Sequence, residues 1–462
     1  MPDEHPLVAA YRAFSPTSET LAERAQAVFP GGDTRSSAHY GPYPLVIEEA
    51  HGCRLTDVDG NELLDFMNNF TSLIHGHAHP DVVAAIQNQA PKGSAYAAPN
   101  LTQVELAELL VERIPSLEQL RFTSSGTEGT LMALRCARAA TGRQKIMKME
   151  GGYHGSYEQA EVSLVPMPDR RGEITAPASL PVDASFPDSV LHDTIVCPYN
   201  EPAHASALID AHARDLAAVI VEPVLGSMGM VPATREFLTT LREATERHGI
   251  VLIFDEVITL RLDTGGAQAV HGIRPDLTCM GKIIGGGLPI GAVGGSRALM
   301  DLFSPNRENP VMHASTFSGN ALTMAAGLAA MRAYDAQEAA RINTLGERLR
   351  TGFNEAFLQS GIRGQATGAG SLSNLHFTDA PLHNARNNID GLVEGGHIGR
   401  LLHLAMLRRG VMSASRLMYC VSTAMTEADV DTAVVALNES LREVRPYVEA
   451  ERPALLAGGG GS

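Results

Sequence analysis

With 462 residues, 44% of them apolar and 19% charged, the chain is too long for a single small domain and too well mixed for a fibrous or disordered protein; two or three α/β domains around a large core fit it best. Its 36 basic and 52 acidic residues give a formal charge of −16, which argues against nucleic acid or an anionic membrane as the main partner but leaves a small anionic ligand open. Five widely spaced cysteines without a CxxC argue against a disulfide frame or a zinc site and suggest a reducing compartment.

The N-terminus has neither a basic nor an apolar targeting region and no run of about 18 apolar residues occurs, so a cytoplasmic location is the expectation. Ser18 to Phe29 carries helical spacing and stops at Pro30-Gly31-Gly32; the polar, Gly/Pro-rich stretch that follows holds Arg35. Leu45 to Phe66 reads as short strands around the Asp59-Gly60 turn. His75, His77 and His79 alternate in HGHAHP, but glycine and proline interrupt them and no carboxylate or cysteine ligand is expected nearby. Loop packing is expected there and no metal site.

Leu101 to Arg113 reads as an amphipathic helix and Gln119 to Thr123 as a strand. Ser124 to Gly129 and a helix from Thr130 to Ala140 follow. Strand, small hydroxyl and glycine residues, then helix is a layout that holds a phosphate; an ordinary N-cap uses the same residues. The strand Lys145 to Met149 leads to Gly151-Gly152-Tyr153-His154-Gly155, where glycines let a flat ring approach, or where a tyrosine simply covers a strand end. Residues 162–192 are rich in Pro, Ser and Asp and read as a functional loop or lid. A strand from Leu216 to Val221 ends in Glu222-Pro223, and Thr234 to His248 is a helix with Phe237, Leu238, Leu241 and Ala244 on one face.

Next comes the apolar run Ile250 to Phe254, a buried strand that delivers Asp255 and Glu256 at its end. A second strand, Leu277 to Met280, is followed by Gly281, Lys282 and the glycines 285–287. Lys282 precedes those glycines, which excludes a phosphate-binding P-loop. From about residue 100 to 300, strands and helices alternate, which predicts a mostly parallel sheet covered on both faces. Beyond it lie an Ala/Met-rich helix after Asn320, a long helix through Ile342, Leu349 and Phe357, strands at Ser371 to Phe377 and Met418 to Thr423 and a helix from Gly399 to Arg409. A capping box at Thr426 and Asp429 opens a last helix. The expected division is an N-terminal arm with part of a small domain at 1–70, a large domain at 71–330, a C-terminal α+β domain at 331–457 and an appended GGGGS linker at 458–462.

An acid and an amine at the rims of neighbouring strands have a chemical meaning. Pyridoxal phosphate (PLP) needs a lysine for a Schiff base and a carboxylate to keep its pyridine nitrogen protonated, and Lys282 and Asp255 suit these roles; the alternative is a strand-end salt bridge.

The runs FPGG (29–32), DVDGN (57–61), HGHAHP (75–80), RFTSSGTE (121–128), GGYHG (151–155), VEPVLGSMG (221–229), LIFDEV (252–257) and PDLTCMGKIIGGGLPIGA (275–292) stand in one order. In them the chain resembles the class III, fold-type I PLP-dependent aminotransferases over nearly its full length. The resemblance is strongest to the branch that contains glutamate-1-semialdehyde aminomutase and β-amino acid (β-phenylalanine) aminotransferases. It implies Lys282 as the Schiff-base lysine, Asp255 as partner of the pyridine nitrogen, and Ser125, Gly126 and Thr127 as the phosphate cradle. Tyr153 would stack on the ring and Val257 pack on its other face, with Glu222 also at the cofactor. Thr316 matches a threonine that reaches the phosphate from a neighbouring subunit, implying a homodimer with shared sites. The aminomutase carries an acidic residue where this chain has Leu417 and an asparagine where it has Ser227. Arg35 and Arg416 fall where β-amino acid aminotransferases are similar, with arginines that hold a carboxylate. The implied activity is ping-pong transfer of an amino group from a β-amino acid or related amine to a 2-oxo acid; an aminomutase, or a lyase or racemase on the same scaffold, is the alternative.

Overall fold

Residues 5–457 are described by the computed structural model, and the expected linker at 458–462 lies outside them. Proline opens both leading helices, α1 (Pro6–Phe14) and α2 (Pro16–Gln26), where its missing N–H is not needed. The first was not foreseen, and the second ends before the expected Phe29. Three short antiparallel strands follow, β1 (Ile47–His51), β2 (Arg54–Asp57) and β3 (Glu62–Asp65). Asp57 Oδ1 accepts the N–H groups of Asp59 and Asn61 at 3.0 and 2.8 Å and so closes the expected turn.

The central sheet contains β4 (Gln119–Thr123), β5 (Lys145–Met149), β6 (Thr194–Cys197), β7 (Leu216–Val221), β8 (Val251–Asp255), β9 (Leu277–Gly281) and β10 (Gly291–Gly295), in the spatial order β4-β10-β9-β8-β7-β5-β6. All pairings are parallel except those of β10, which runs antiparallel to both neighbours. Alternate residues of β8 feed opposite faces. Leu252 and Phe254 pack with Phe237, Leu238 and Leu241 of helix Arg235–His248, while Val251 and Ile253 pack with Ala133 and Leu134 of helix Gly126–Thr141. Burial on both faces explains the uninterrupted apolar runs.

After residue 330 come the long helix Ala336–Ser360, a three-stranded antiparallel sheet of Gln365–Ala369, Leu372–His376 and Met418–Cys420, and the closing helix Glu427–Glu451, opened by the Thr426/Asp429 capping box. One apolar core runs from Leu106 and Ile283 through Leu349 and Phe353 to Leu437 and Leu441, which fastens this layer to the central one. A division of the chain near 330 is therefore proposed on topology, not on a break in the core. Among the described residues no helix is long and apolar enough to cross a membrane, and all five cysteines are buried and free.

Candidate active site

Strand register brings the predicted residues to one rim. Phe254 pairs with Val221 and Asp255 with Cys279, so Glu222 and Asp255 leave adjacent strands at the same height, and Lys282 follows three residues beyond Cys279, past the end of the next strand. Parallel sheets bind ligands at this carboxyl edge. Lys282 adopts φ 49°, a left-handed conformation uncommon for a lysine and typical of strained functional positions. Burial lowers its amine to about 8, although Asp255 and Glu222 pull it upward; Arg416 adds to the lowering.

Asp255 is 4% exposed. Its Oδ2 lies 2.8 Å from Nδ1 of the buried His154, and its Oδ1 accepts the Val257 N–H at 3.1 Å. Burial depresses the pKa of His154 while Asp255 raises it, and Nε2 of the same ring is buried without a partner among the described residues. Glu222 is equally buried and accepts N–H groups from Tyr153 (2.9 Å) and Gly226 (3.2 Å). Desolvation, then Asp255, pushes its carboxyl upward. The Tyr153 side chain is 38% exposed at the mouth, with its hydroxyl 3.2 Å from Ser156 Oγ.

Ser125 caps helix Gly126–Thr141, its Oγ accepting the Glu128 N–H at 3.2 Å. The helix therefore begins at Gly126 instead of the expected Thr130, and Gly126 and Thr127 form its first turn, whose N–H groups have no acceptor within the helix. The fit around this turn requires glycine. A Cβ on Gly126 would approach Val257 Cγ2 to 3.0 Å, and one on Gly155, at φ +112°, would meet Thr127 Oγ1 at 2.6 Å. Thr316 lies outside this rim on an exposed segment flanked by Met312 and Phe317, 65% and 62% exposed. The adjoining Ser315 Oγ is 3.2 Å from Ser124 Oγ, so that segment borders the cradle.

Arg35 and Arg416, far apart in sequence, come to the same ring. Their guanidinium carbons stand 5.9 and 5.7 Å from the centroid of Phe70. Arg35 Nη1 also donates to Asn69 Oδ1 at 2.9 Å. Burial lowers the pKa of Arg416, offset by Glu222 and Tyr153, and its Nε is buried without a partner among the described residues.

Several residues here carry little or no local sequence signal. His154 stood in the quoted GGYHG run without a role, and Asn69 and Phe70 carried no signal. Lys148 passed as part of a strand, yet it is fully buried, donates to the Val162 carbonyl at 2.6 Å and is lowered to about 7 by desolvation. The expectation that no carboxylate neighbours the histidines needs correcting. His77 Nε2 lies 2.7 Å from Asp65 Oδ2 across the chain, while His75 bonds Thr423 and the Ala330 carbonyl. These are packing contacts, and no group of metal ligands occurs among the described residues.

A buried amine, a buried carboxylate fixed by a histidine, and a glycine-lined helix start fit a phosphorylated pyridine aldehyde. The aminotransferase class-III family pattern matches residues 35–433. The chain is 43% identical over 372 residues to glutamate-1-semialdehyde 2,1-aminomutase 2 of Brevibacillus brevis, covering 79% of this chain and 85% of that protein. It is 45% identical to an omega-transaminase from Sphaerobacter thermophilus, with a TM-score of 0.89 over 93% of this chain and 98% of that one. For a β-phenylalanine aminotransferase from Variovorax paradoxus the identity is 36% and the TM-score 0.84, over 97% and 98% of the two chains. The chain thus belongs to the class-III aminotransferases and has their fold type I. It is an enzyme, and its cofactor is PLP.

Proposed function

We propose that this aminotransferase takes its amino group from a β-amino acid or related amine and passes it to a 2-oxo acid by a ping-pong sequence. The observation that carries the reading is the convergence of Arg35 and Arg416 on one aromatic ring. A guanidinium whose charge acts on the lysine suits a substrate that carries a carboxylate, and bidentate pairing would fix orientation as well as add attraction. The similarity to the Variovorax paradoxus β-phenylalanine aminotransferase supports the same donor class.

PLP would be held by Ser125, Gly126 and Thr127 at its phosphate, by Tyr153 and Val257 on its two faces and by Asp255 at its nitrogen, with Glu222 near the ring. When bound it supplies an electron sink for the carbon that carries the amino group. Lys282 Nζ, lowered to about 8, is partly neutral near physiological pH and is suited to take a proton from that carbon and return it elsewhere. Asp255, oriented by His154 and the Val257 N–H, keeps a negative charge in place without reorganisation. The exposed Thr316 segment supports a homodimer in which a second copy completes the cradle. The buried free cysteines support a cytoplasmic location.

The similarity to the Brevibacillus brevis aminomutase favours a second reading, intramolecular amino transfer in glutamate 1-semialdehyde. Against it stands Leu417, 3% exposed, at a position where the resemblance to the aminomutase branch implies an acid. The test compares β-phenylalanine with 1-phenylethylamine as donors to pyruvate. Arg35→Gln is expected to raise KM for β-phenylalanine about tenfold and to change that for 1-phenylethylamine less than twofold, about the contribution of one charged hydrogen-bonded pair. Equal effects on both donors would contradict the assignment.

A further inference from the structure

The segment that carries Phe70 has an unusual backbone. Asn68, Asn69, Phe70 and Thr71 all have positive φ, 47°, 47°, 54° and 72°, making a left-handed turn from four residues none of which is glycine. Such residues enter this region singly and at a cost, so a run of four persists only where the surroundings over-determine it. The turn is held at both ends. Asp65 Oδ1 accepts the N–H groups of Met67 and Asn68, each at 2.9 Å, while its Oδ2 faces His77 Nε2 at 2.7 Å. At the far end Arg261, fully buried, donates to the Thr71 carbonyl at 3.4 Å and to Ser371 Oγ at 2.8 Å. Between them Asn68 Nδ2 donates to the Cys420 carbonyl at 2.9 Å.

The turn presents two side chains to the arginines. Asn69 accepts from Arg35, and Phe70 lies against both guanidinium groups, its other contacts being the apolar cluster that contains Val224 and Met418. Arg416 has no carboxylate within ion-pair distance among the described residues, and its Nη2 reaches only the Met418 sulfur at 3.6 Å. The aromatic face is therefore the feature both cations share, and it attracts them without neutralising them as a carboxylate would. A cation held by an aromatic face keeps its N–H fork for an incoming anion.

We propose that Phe70 is a positioning residue that sets the two carboxylate anchors, Arg35 and Arg416, relative to each other, and so determines recognition of the carboxylate in both donor and acceptor. This deepens the donor assignment and rests on the reading of the two arginines as anchors. The left-handed turn holds the ring that both guanidinium groups approach.

The test uses the PLP-loaded enzyme and the variants Phe70→Leu, Phe70→Tyr, Arg35→Gln and Arg416→Gln. KM and kcat are measured for β-phenylalanine, 1-phenylethylamine and pyruvate, and the affinity for unreactive 3-phenylpropionate is measured by calorimetry. Phe70→Leu keeps apolar bulk but loses the aromatic face. It is expected to raise KM for β-phenylalanine and pyruvate, and Kd for 3-phenylpropionate, about fivefold each, the size of one partly desolvated cation–π contact. The kcat values and KM for 1-phenylethylamine should stay within twofold, and Phe70→Tyr should restore wild-type values. A uniform change for all three substrates, or no change with Phe70→Leu while either arginine variant weakens 3-phenylpropionate, overturns the positioning role and leaves the anchors standing. If neither arginine variant weakens 3-phenylpropionate, the anchors themselves are wrong and the proposal falls with them.

Discussion

Lys282 and Asp255 suit the different roles proposed for them because their surroundings differ. The lysine is lowered to about 8 by burial, whereas the aspartate is fixed by two donors, His154 and the Val257 N–H. Asp255→Asn should lower kcat about a hundredfold to a thousandfold, the usual loss when one preorganised electrostatic partner is removed, with thermal unfolding checking that the fold survives. The placement of both at strand ends was legible in the sequence, since each follows an apolar run that ends abruptly. Phe70, Asn69 and His154 were not, because their roles come from approaches across the fold that no local pattern encodes. For Arg416 the sequence offers only the resemblance; its burial, its unpartnered Nε and the ring 5.7 Å away emerge from the fold.

Among elements, the strands at 119–123, 145–149 and 216–221 have the bounds expected from their apolar runs, and so does the helix at 101–113. Gly291–Gly295 escaped notice because three glycines in five residues give no strand signal, yet it sits between β4 and β9 and completes the sheet. The loop expected at 162–192 contains a small hairpin and the short helix Asp188–Asp193, and it is tied down from a distance. Arg386 on helix Ala385–Gly395 forms a forked pair with buried Glu150 at 2.7 and 3.0 Å and also donates to the carbonyls of Arg171, Gly172 and Glu173. Arg386→Met leaves Glu150 buried and alone at the end of β5, and urea unfolding should show a loss of about 3–5 kcal/mol. Adding Glu150→Gln should recover part of it; additive losses would mean that the pair is not the link.

At the scale of the whole molecule, the C-terminal layer contains two buried histidines, His376 and His403, each lowered to about 4 by desolvation. The unfolded chain binds their protons near pH 6.5 and the folded chain does not, so stability is complete above that value and is lost as pH falls toward 4. By pH 5 each should cost about 2 kcal/mol, and urea midpoints at pH 7.5 and 5 measure it. A flat profile would mean that these rings are hydrated. The parallel sheet was readable in outline because alternating strands and helices leave few topologies. The continuity of the core across residue 330 was not, since it joins Leu106 and Ile283 to Phe353 and Leu441, which only the folded chain brings together.

The proposed chemistry depends on one amine reaching the cofactor at the sheet rim. Borohydride reduction of the PLP-loaded protein, followed by peptide mapping, should place the reduced pyridoxyl phosphate mass on Lys282 and leave buried Lys148 unmodified. Label on Lys148 or another lysine, or none on any, would contradict it.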